Sequence, residues 1–349
     1  MPANTSNLAW VFAGGNALGA YHAGAYEALH NQGLRPHWVV GASIGAVTAA
    51  IVAGNAPDDR VAKLRQFWDE ATQFTGLSPT KMLKPRQIYN GLHAFLALVW
   101  GRPNIYRHRL PGFWSALPWV PNDVALFDNA PLLGTLKRLV DFERLNRGDT
   151  RLTVCCVDVE TGEEVYFDTA RQTIRPEHIL ASTAILPAFP PVELDGRVFC
   201  DAGFTNNLPL DAIFATEPER DLLCIATDLF SLQAPRPRSL DAVLERANDL
   251  IFASAARRSV AGLTREYDLR QKLDPDGSTV TLLHLVYQAG AHELAAKSFD
   301  YSPSSIRDRW AAGARDAVSG LERLEAQGTD RRRFNYVALH GPKIADHRR

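Results

Sequence analysis

Leu8-Ala9-Trp10-Val11-Phe12-Ala13-Gly14-Gly15-Asn16-Ala17-Leu18-Gly19 and Trp38-Val39-Val40-Gly41-Ala42-Ser43-Ile44-Gly45-Ala46-Val47 are the two segments whose reading decides the fold. In each, a short apolar run meets glycines and then passes into alanine-rich helical composition. A strand, a tight turn and a helix therefore occur twice in succession. Such a unit leaves backbone N–H groups unpaired at the helix N-terminus, where the macrodipole favours negative charge. The second unit also carries a nucleophile. Gly41-x-Ser43-x-Gly45 has the spacing of a nucleophile elbow, whose glycines permit the turn that lifts a serine hydroxyl out of the strand end. One turn is suited to hold an oxyanion and the other to create it.

Outward from these turns the chain keeps alternating. Asp58 to Phe74 has amphipathic helix spacing, Phe127 to Leu145 reads as one helix, and Thr161-Gly162 sits between two strand-like runs as a hairpin turn. Pro176 to Ala184 reads as a helix, and Arg197 to Cys200 as a short strand that delivers Asp201-Ala202-Gly203. Leu222 to Asp228 and Thr279 to Tyr287 are further strands, separated by a long helix from Ser239 toward Leu273. Ser302 and Pro303 have the N-cap and first-turn chemistry for a last helix from Ser304 to Gln327. The alternation predicts an α/β fold with a mainly parallel sheet wrapped on both faces. Two stretches break the pattern. Residues 81–121, rich in tryptophan and proline, read as an irregular insertion: either a satellite core or, over 92–121, a surface that meets acyl chains. Residues 331–349 read as a solvated basic tail.

Composition excludes several classes of function. Lys and Arg number 38 against 39 Asp and Glu, so no global field favours nucleic acid. Cys155, Cys156, Cys200 and Cys224 lie in apolar runs without CxxC spacing, which predicts buried free thiols and no zinc or other metal site. No cofactor is expected. The first residues lack a basic signal-peptide region and no apolar run has bilayer-spanning length, so a cytoplasmic protein is expected, with peripheral membrane contact through 92–121 as the exception to full solubility. Nothing in the sequence speaks to oligomeric state.

A serine hydroxyl at neutral pH needs a base and a means of neutralising the oxyanion. The turn at 14–19 answers the second need with unobstructed N–H groups. The base has two readings. A Ser-His-Asp triad would recruit His284 or His292, although His284 lies inside the apolar run Leu282-Leu283-His284-Leu285. Asp201, at a strand end before Ala202-Gly203, is the other candidate, with partial burial to raise its basicity.

With these motifs the sequence resembles the patatin-like phospholipases, in a bacterial branch with a C-terminal extension. The resemblance rests on Gly14-Gly15-Asn16-Ala17-Leu18-Gly19, on Gly41-Ala42-Ser43-Ile44-Gly45 and on Asp201-Ala202-Gly203. Gly19-Ala20-Tyr21-His22-Ala23-Gly24 and Asn206-Asn207-Leu208-Pro209-Leu210 extend it. It implies a three-layer α/β/α sandwich over residues 8–212, with a largely helical extension over 213–330. It also implies a serine acyl hydrolase that cleaves lipid or other carboxylic esters through a Ser43–Asp201 dyad and an acyl-enzyme. Gly14, Gly15 and Asn16 would line the oxyanion hole, Gly41 and Gly45 shape the elbow, and Ala202 and Gly203 support the aspartate. Asn16 stands where the family has a third glycine, and Ala202 takes the middle place of the aspartate motif. An α/β-hydrolase esterase with a histidine and a non-catalytic acyl-binding protein are the competing readings.

Overall fold

Every side chain of Leu8–Phe12 (β1) is buried, as are those of Leu222–Asp228 (β9), although successive side chains of a strand point to opposite faces. Both faces of the sheet are therefore covered, as the layered α/β expectation requires. The computed structural model describes residues 7–73, 86–290, 292–327 and 332–341. The other strands are β2 (Trp38–Ala42), β3 (Arg107–His108), β4 (Phe127–Asp128), β5 (Arg151–Asp158), β6 (Glu164–Asp168), β7 (Val192–Leu194), β8 (Arg197–Asp201), β10 (Val280–Val286) and β11 (Phe334–Leu339). The main sheet has nine strands in the order β11-β10-β9-β1-β2-β5-β8-β7, with β6 beside β5. From β11 to β5 all pairs are parallel; β6, β7 and β8 join antiparallel. β3 and β4 form a separate small ribbon.

The helices are α1 (Ala20–Asn31), α2 (Ile44–Ala53), α3 (Arg60–Thr72), α4 (Arg86–Trp100), α5 (Ala130–Leu139), α6 (Phe142–Arg147), α7 (Pro176–Ser182), α8 (Gly203–Asn206), α9 (Asp211–Phe214), α10 (Leu240–Leu273) and α11 (Pro303–Ala326). α11 starts where its capping chemistry predicts, with the Ser302 hydroxyl accepting the Ser305 N–H. Likewise Ser239 accepts the Ala242 N–H at the head of α10.

Three expectations change. The insertion is not irregular throughout: Arg86–Trp100 is helical, because Tyr89, Asn90, His93, Ala94 and Ala97 form a buried stripe at helix spacing. Its period is hard to read because the opposite face is also apolar, with Phe95 and Trp100 exposed. Residues 81–85 of that insertion and Phe74, the last residue of the segment read as helical from Asp58, lie outside the described residues, as do 1–6 of the N-terminal reading. The single helix expected from Phe127 to Leu145 is a strand and two helices. Val140 turns extended and Asp141 caps α6 by accepting the Arg144 N–H at 2.9 Å. Finally, the basic tail holds a strand. Phe334–Leu339 pairs in register with β10, and Arg333 is buried, paired with Glu217 and donating to the Asp274 carbonyl at 2.8 Å. Residue 331 and residues 342–349 lie outside the described residues.

The C-terminal region is thereby built into the sheet: β9 lies directly beside β1. It is also locked to the first helix. A Cβ on Gly24 of α1 would lie 1.9 Å from the Trp310 carbonyl oxygen, and one on Gly313 of α11 would lie 2.0 Å from that of Tyr21. The two backbones touch, and the Trp310 indole and Tyr21 hydroxyl donate across the same seam to Glu27 and Asp316. Gly313→Ala should therefore destabilise the protein by about 1–3 kcal/mol, the usual range for overpacking. Gly262→Ala, at a helical position with open space around the added methyl, should stabilise it by up to about 1 kcal/mol. Denaturant midpoints of the two variants, measured side by side, check both signs.

Candidate active site

The register of β5 brings Ser43 and Asp201 together. One flank of β5 is taken by β6 from Thr153 to Val157. The other flank is shared: β2 runs up it parallel until Ala42 faces Cys155, and β8 comes down it antiparallel until Asp201 faces Cys156. The two strand ends meet head to head on adjacent rungs. Ser43, the next residue after Ala42, thus emerges beside the Asp201 carboxyl.

Ser43 has φ 55° and ψ −127°, a strained conformation for a residue with a side chain. The elbow glycines hold it there by letting backbones touch. A Cβ on Gly41 would lie 2.3 Å from the Gly45 carbonyl carbon, and one on Gly45 would lie 2.1 Å from the Phe12 carbonyl oxygen. The Ser43 N–H donates to the Ser182 hydroxyl at 3.0 Å, which in turn donates to the Cys155 carbonyl at 2.7 Å. Ser182 was not visible as a site residue, because nothing in an ordinary helix sequence marks the one hydroxyl that meets the elbow.

Asp201 is buried. Burial pushes its pKa up to about 7, against the opposing pull of hydrogen bonds from the Ser43 hydroxyl and the Gly203 N–H. Oδ1 accepts the Gly203 N–H at 2.8 Å, while Oδ2 has no partner at full hydrogen-bond geometry. The hydroxyl therefore approaches the carboxyl loosely, as nucleophile and base often do before substrate binds. Ala202 fits the middle place of the motif, its methyl buried with Ala42, Cys155, Val157 and Cys200. A Cβ on Gly203 would press on Asp201 Oδ1 at 3.2 Å.

The glycine turn lies against the same hydroxyl, but its amides are not equivalent. The Gly14 N–H donates to the Asn207 carbonyl at 3.0 Å, and Asn207 Nδ2 donates back to the Gly14 carbonyl at 3.1 Å. Gly14 is therefore a clamp point, not the free oxyanion donor it was expected to be. Its lack of a side chain serves that clamp, since a Cβ would lie 2.4 Å from Asn207 Oδ1. Among the described residues no acceptor meets the Gly15 or Asn16 N–H. Gly15 has φ 156° and Asn16 φ 53°; the latter is a left-handed conformation that asparagine tolerates better than most residues. The Asn16 side chain is tethered through its Oδ1, which accepts the hydroxyl of Tyr301. On the other side, His22 Nε2 is hydrogen-bonded to the Ala13 carbonyl at 2.9 Å. Burial lowers the pKa of that imidazole to about 4, so it remains neutral.

Ser43, Asp201, Gly15 and Asn16 line a cavity of about 490 Å³. That is within the range of roughly 300–1,000 Å³ usual for ligand sites. Its walls are apolar, among them Val47, Phe67, Leu98, Leu132 and Phe189, and α10 contributes Leu244 and Ile251. Lys297 also lines it, with its ammonium paired at 2.9 Å to both Glu245 and Asp249 of α10. No histidine lines the cavity among the described residues. His284 is in β10, separated from β2 by the two strands β9 and β1, and shares a hydrogen bond with the Tyr336 hydroxyl at 3.0 Å. His292 faces Asp308 at 3.8 Å. The four cysteines are buried and free. Among the described residues no three His, Cys, Asp or Glu side chains form a cluster that could hold a metal ion.

Comparison with known proteins places the chain in a family. The sequence model of the patatin-like phospholipases matches residues 10–214, and a second one, described as patatin phospholipase, matches residues 260–332. Triacylglycerol lipase ptl3 of Schizosaccharomyces pombe is 38% identical over 63 residues, which are 18% of this chain and only 13% of that protein. VipD of Legionella pneumophila has a similar solved structure, with a TM-score of 0.42, 16% identity and coverage of 90% of this chain and 67% of that one. The type III effector ExoU gives a TM-score of 0.38 and 11% identity, covering 91% of this chain and 53% of that one. The first match runs from β1 through the elbow and the aspartate to α9, more than half of the chain, and the protein belongs to the patatin-like phospholipase family.

Proposed function

We propose that the chain is a serine acyl hydrolase that cleaves carboxylic esters of lipids through a Ser43–Asp201 dyad and an acyl-enzyme intermediate. The observation that carries this reading is the meeting of β2 and β8 on one flank of β5. It sets a hydroxyl beside a buried carboxyl at the floor of an apolar cavity. Asp201 takes the Ser43 proton as the oxygen attacks the ester carbonyl, and the N–H groups of Gly15 and Asn16 receive the negative charge. The start of α2, directly behind Ser43, adds its positive dipole end. Asp201 then passes the proton to the departing alcohol, and finally deprotonates the water that attacks the acyl-enzyme and returns that proton to Ser43 Oγ as the acid is released. The chemistry is assigned to residues 8–212; later residues complete the cavity.

A lipid substrate suits the apolar walls, and peripheral contact with a lipid surface suits the insertion. Leu110 is 80% exposed, Trp119 79% and Trp100 69%, so these side chains do not form a satellite core. Among the described residues no helix is long and apolar enough to cross a membrane. Phe204, Leu244 and Ile251 both line the cavity and face solvent, which places its mouth on an apolar surface.

Ser43→Ala and Asp201→Asn should each lower p-nitrophenyl ester and phospholipid hydrolysis by more than about a thousand-fold. His284→Ala should leave turnover unchanged. Loss of activity in that variant with retained folding would restore the triad. Failure of a fluorophosphonate to label Ser43 would favour a non-catalytic acyl-binding protein. The active base is the carboxylate, so kcat/KM should rise with pH through an apparent pKa near 7.

Stability should run the other way. The folded protein retains a proton on Asp201 that the unfolded chain has lost, so wild-type stability falls between about pH 4 and pH 7. Asp201→Asn removes that penalty and should be more stable than the wild type above pH 7, with the gain vanishing below pH 4. Thermal unfolding at pH 4 and pH 8 reads both ends.

A further inference from the structure

Two side chains from the distant C-terminal region grip the turn that carries the free amides. Tyr301, fully buried, donates its hydroxyl to Asn16 Oδ1, the side chain of the residue held at φ 53°. Arg309, also fully buried, extends one guanidinium over three backbone carbonyls. Nη1 donates to Ala17 at 3.2 Å and to Asp300 at 2.8 Å, and Nη2 to Lys297 at 3.0 Å, while Nε is paired with Glu293 at 2.8 Å. Ala17 belongs to the turn, and Lys297 to the cavity wall opposite it. A planar guanidinium with fixed donor directions therefore sets the distance between turn and wall. The Asn16 N–H lies on the same residue as the tethered side chain, so the tether restrains the backbone that aims this amide.

We propose that Tyr301 and Arg309 are positioning residues of the oxyanion turn. They act through Asn16 and Ala17, so that the region from 293 to 309 is needed to form the hole and not only to cover it. The inference rests on the acyl hydrolase reading for its catalytic consequence, but not for the tether itself. A left-handed non-glycine residue persists only where its surroundings hold it. Here the holding groups come from nearly three hundred residues away in the chain. A merely structural Tyr301 would instead lower stability or loosen substrate binding.

The test is Tyr301→Phe, which deletes one hydroxyl, read in two ways. Amide hydrogen exchange over residues 14–19 should quicken by about ten-fold or more. The kcat for a p-nitrophenyl ester should fall about ten-fold or more with KM unchanged, a fraction of the 10²–10³-fold typical for complete loss of an oxyanion donor. Asn16→Gly removes the acceptor, so in that background Tyr301→Phe should cause no further loss of kcat. Unchanged exchange in the turn, a loss confined to KM, or additive losses in the double variant would each overturn the proposal. If the wild-type protein turns over no ester while exchange still responds to Tyr301→Phe, the hydrolase reading fails and the tether stands.

Discussion

The site depends on one constraint, that β5 has a single free flank and two strands must share it. Because β2 arrives parallel and β8 antiparallel, their ends rather than their middles meet there, with Ala42 and Asp201 opposite neighbouring cysteines. The approach of Ser43 to Asp201 is thus a property of hydrogen-bond register, which is rigid, and not of loop conformation, which is not. The parallel half of the sheet ends at this point and the antiparallel half begins.

Around that junction, unfavourable features are offset by the surroundings. Ser43 adopts a backbone conformation that costs on the order of 1–3 kcal/mol. Asp201 is buried, so its charged form is disfavoured and its basicity raised. Both are held by contacts too close to relax: glycine backbones on one side, and the Ser182 hydroxyl and the Gly203 N–H on the other. In the proposed hydrolase the features that destabilise the resting fold are the ones that would prepare a nucleophile and a base, the trade commonly found where chemistry is done.

Much of this was legible in the sequence because it is written locally. Gly41-x-Ser43-x-Gly45 specifies a turn by the absence of side chains, and the apolar runs before each glycine cluster specify strands buried on both faces. Ser302-Pro303 and Ser239 announce helix starts. The illegible parts are those whose partners are remote. Gly14 looks like a third oxyanion donor until Asn207 is seen to take its amide. The arginine-rich tail looks solvated until Arg333 finds Glu217 and the Asp274 carbonyl, and Phe334–Leu339 finds the edge of β10. α4 is masked by its own exposed apolar face, which blurs the period that would reveal it.

The sequence by itself determined the local elements of the candidate site: a serine in a strand-to-helix elbow, an aspartate at a strand end, and a glycine turn able to present amides. These follow from short-range sterics, since only glycine allows such turns and only a strand end exposes such a side chain. Only the tertiary structure decided which turn amides meet no acceptor among the described residues, which carboxyl lies beside the serine, and that α11 and its preceding loop reach the glycine turn. Those outcomes depend on hydrogen bonds and backbone contacts between residues hundreds of positions apart, and no local pattern encodes which of many possible partners is met.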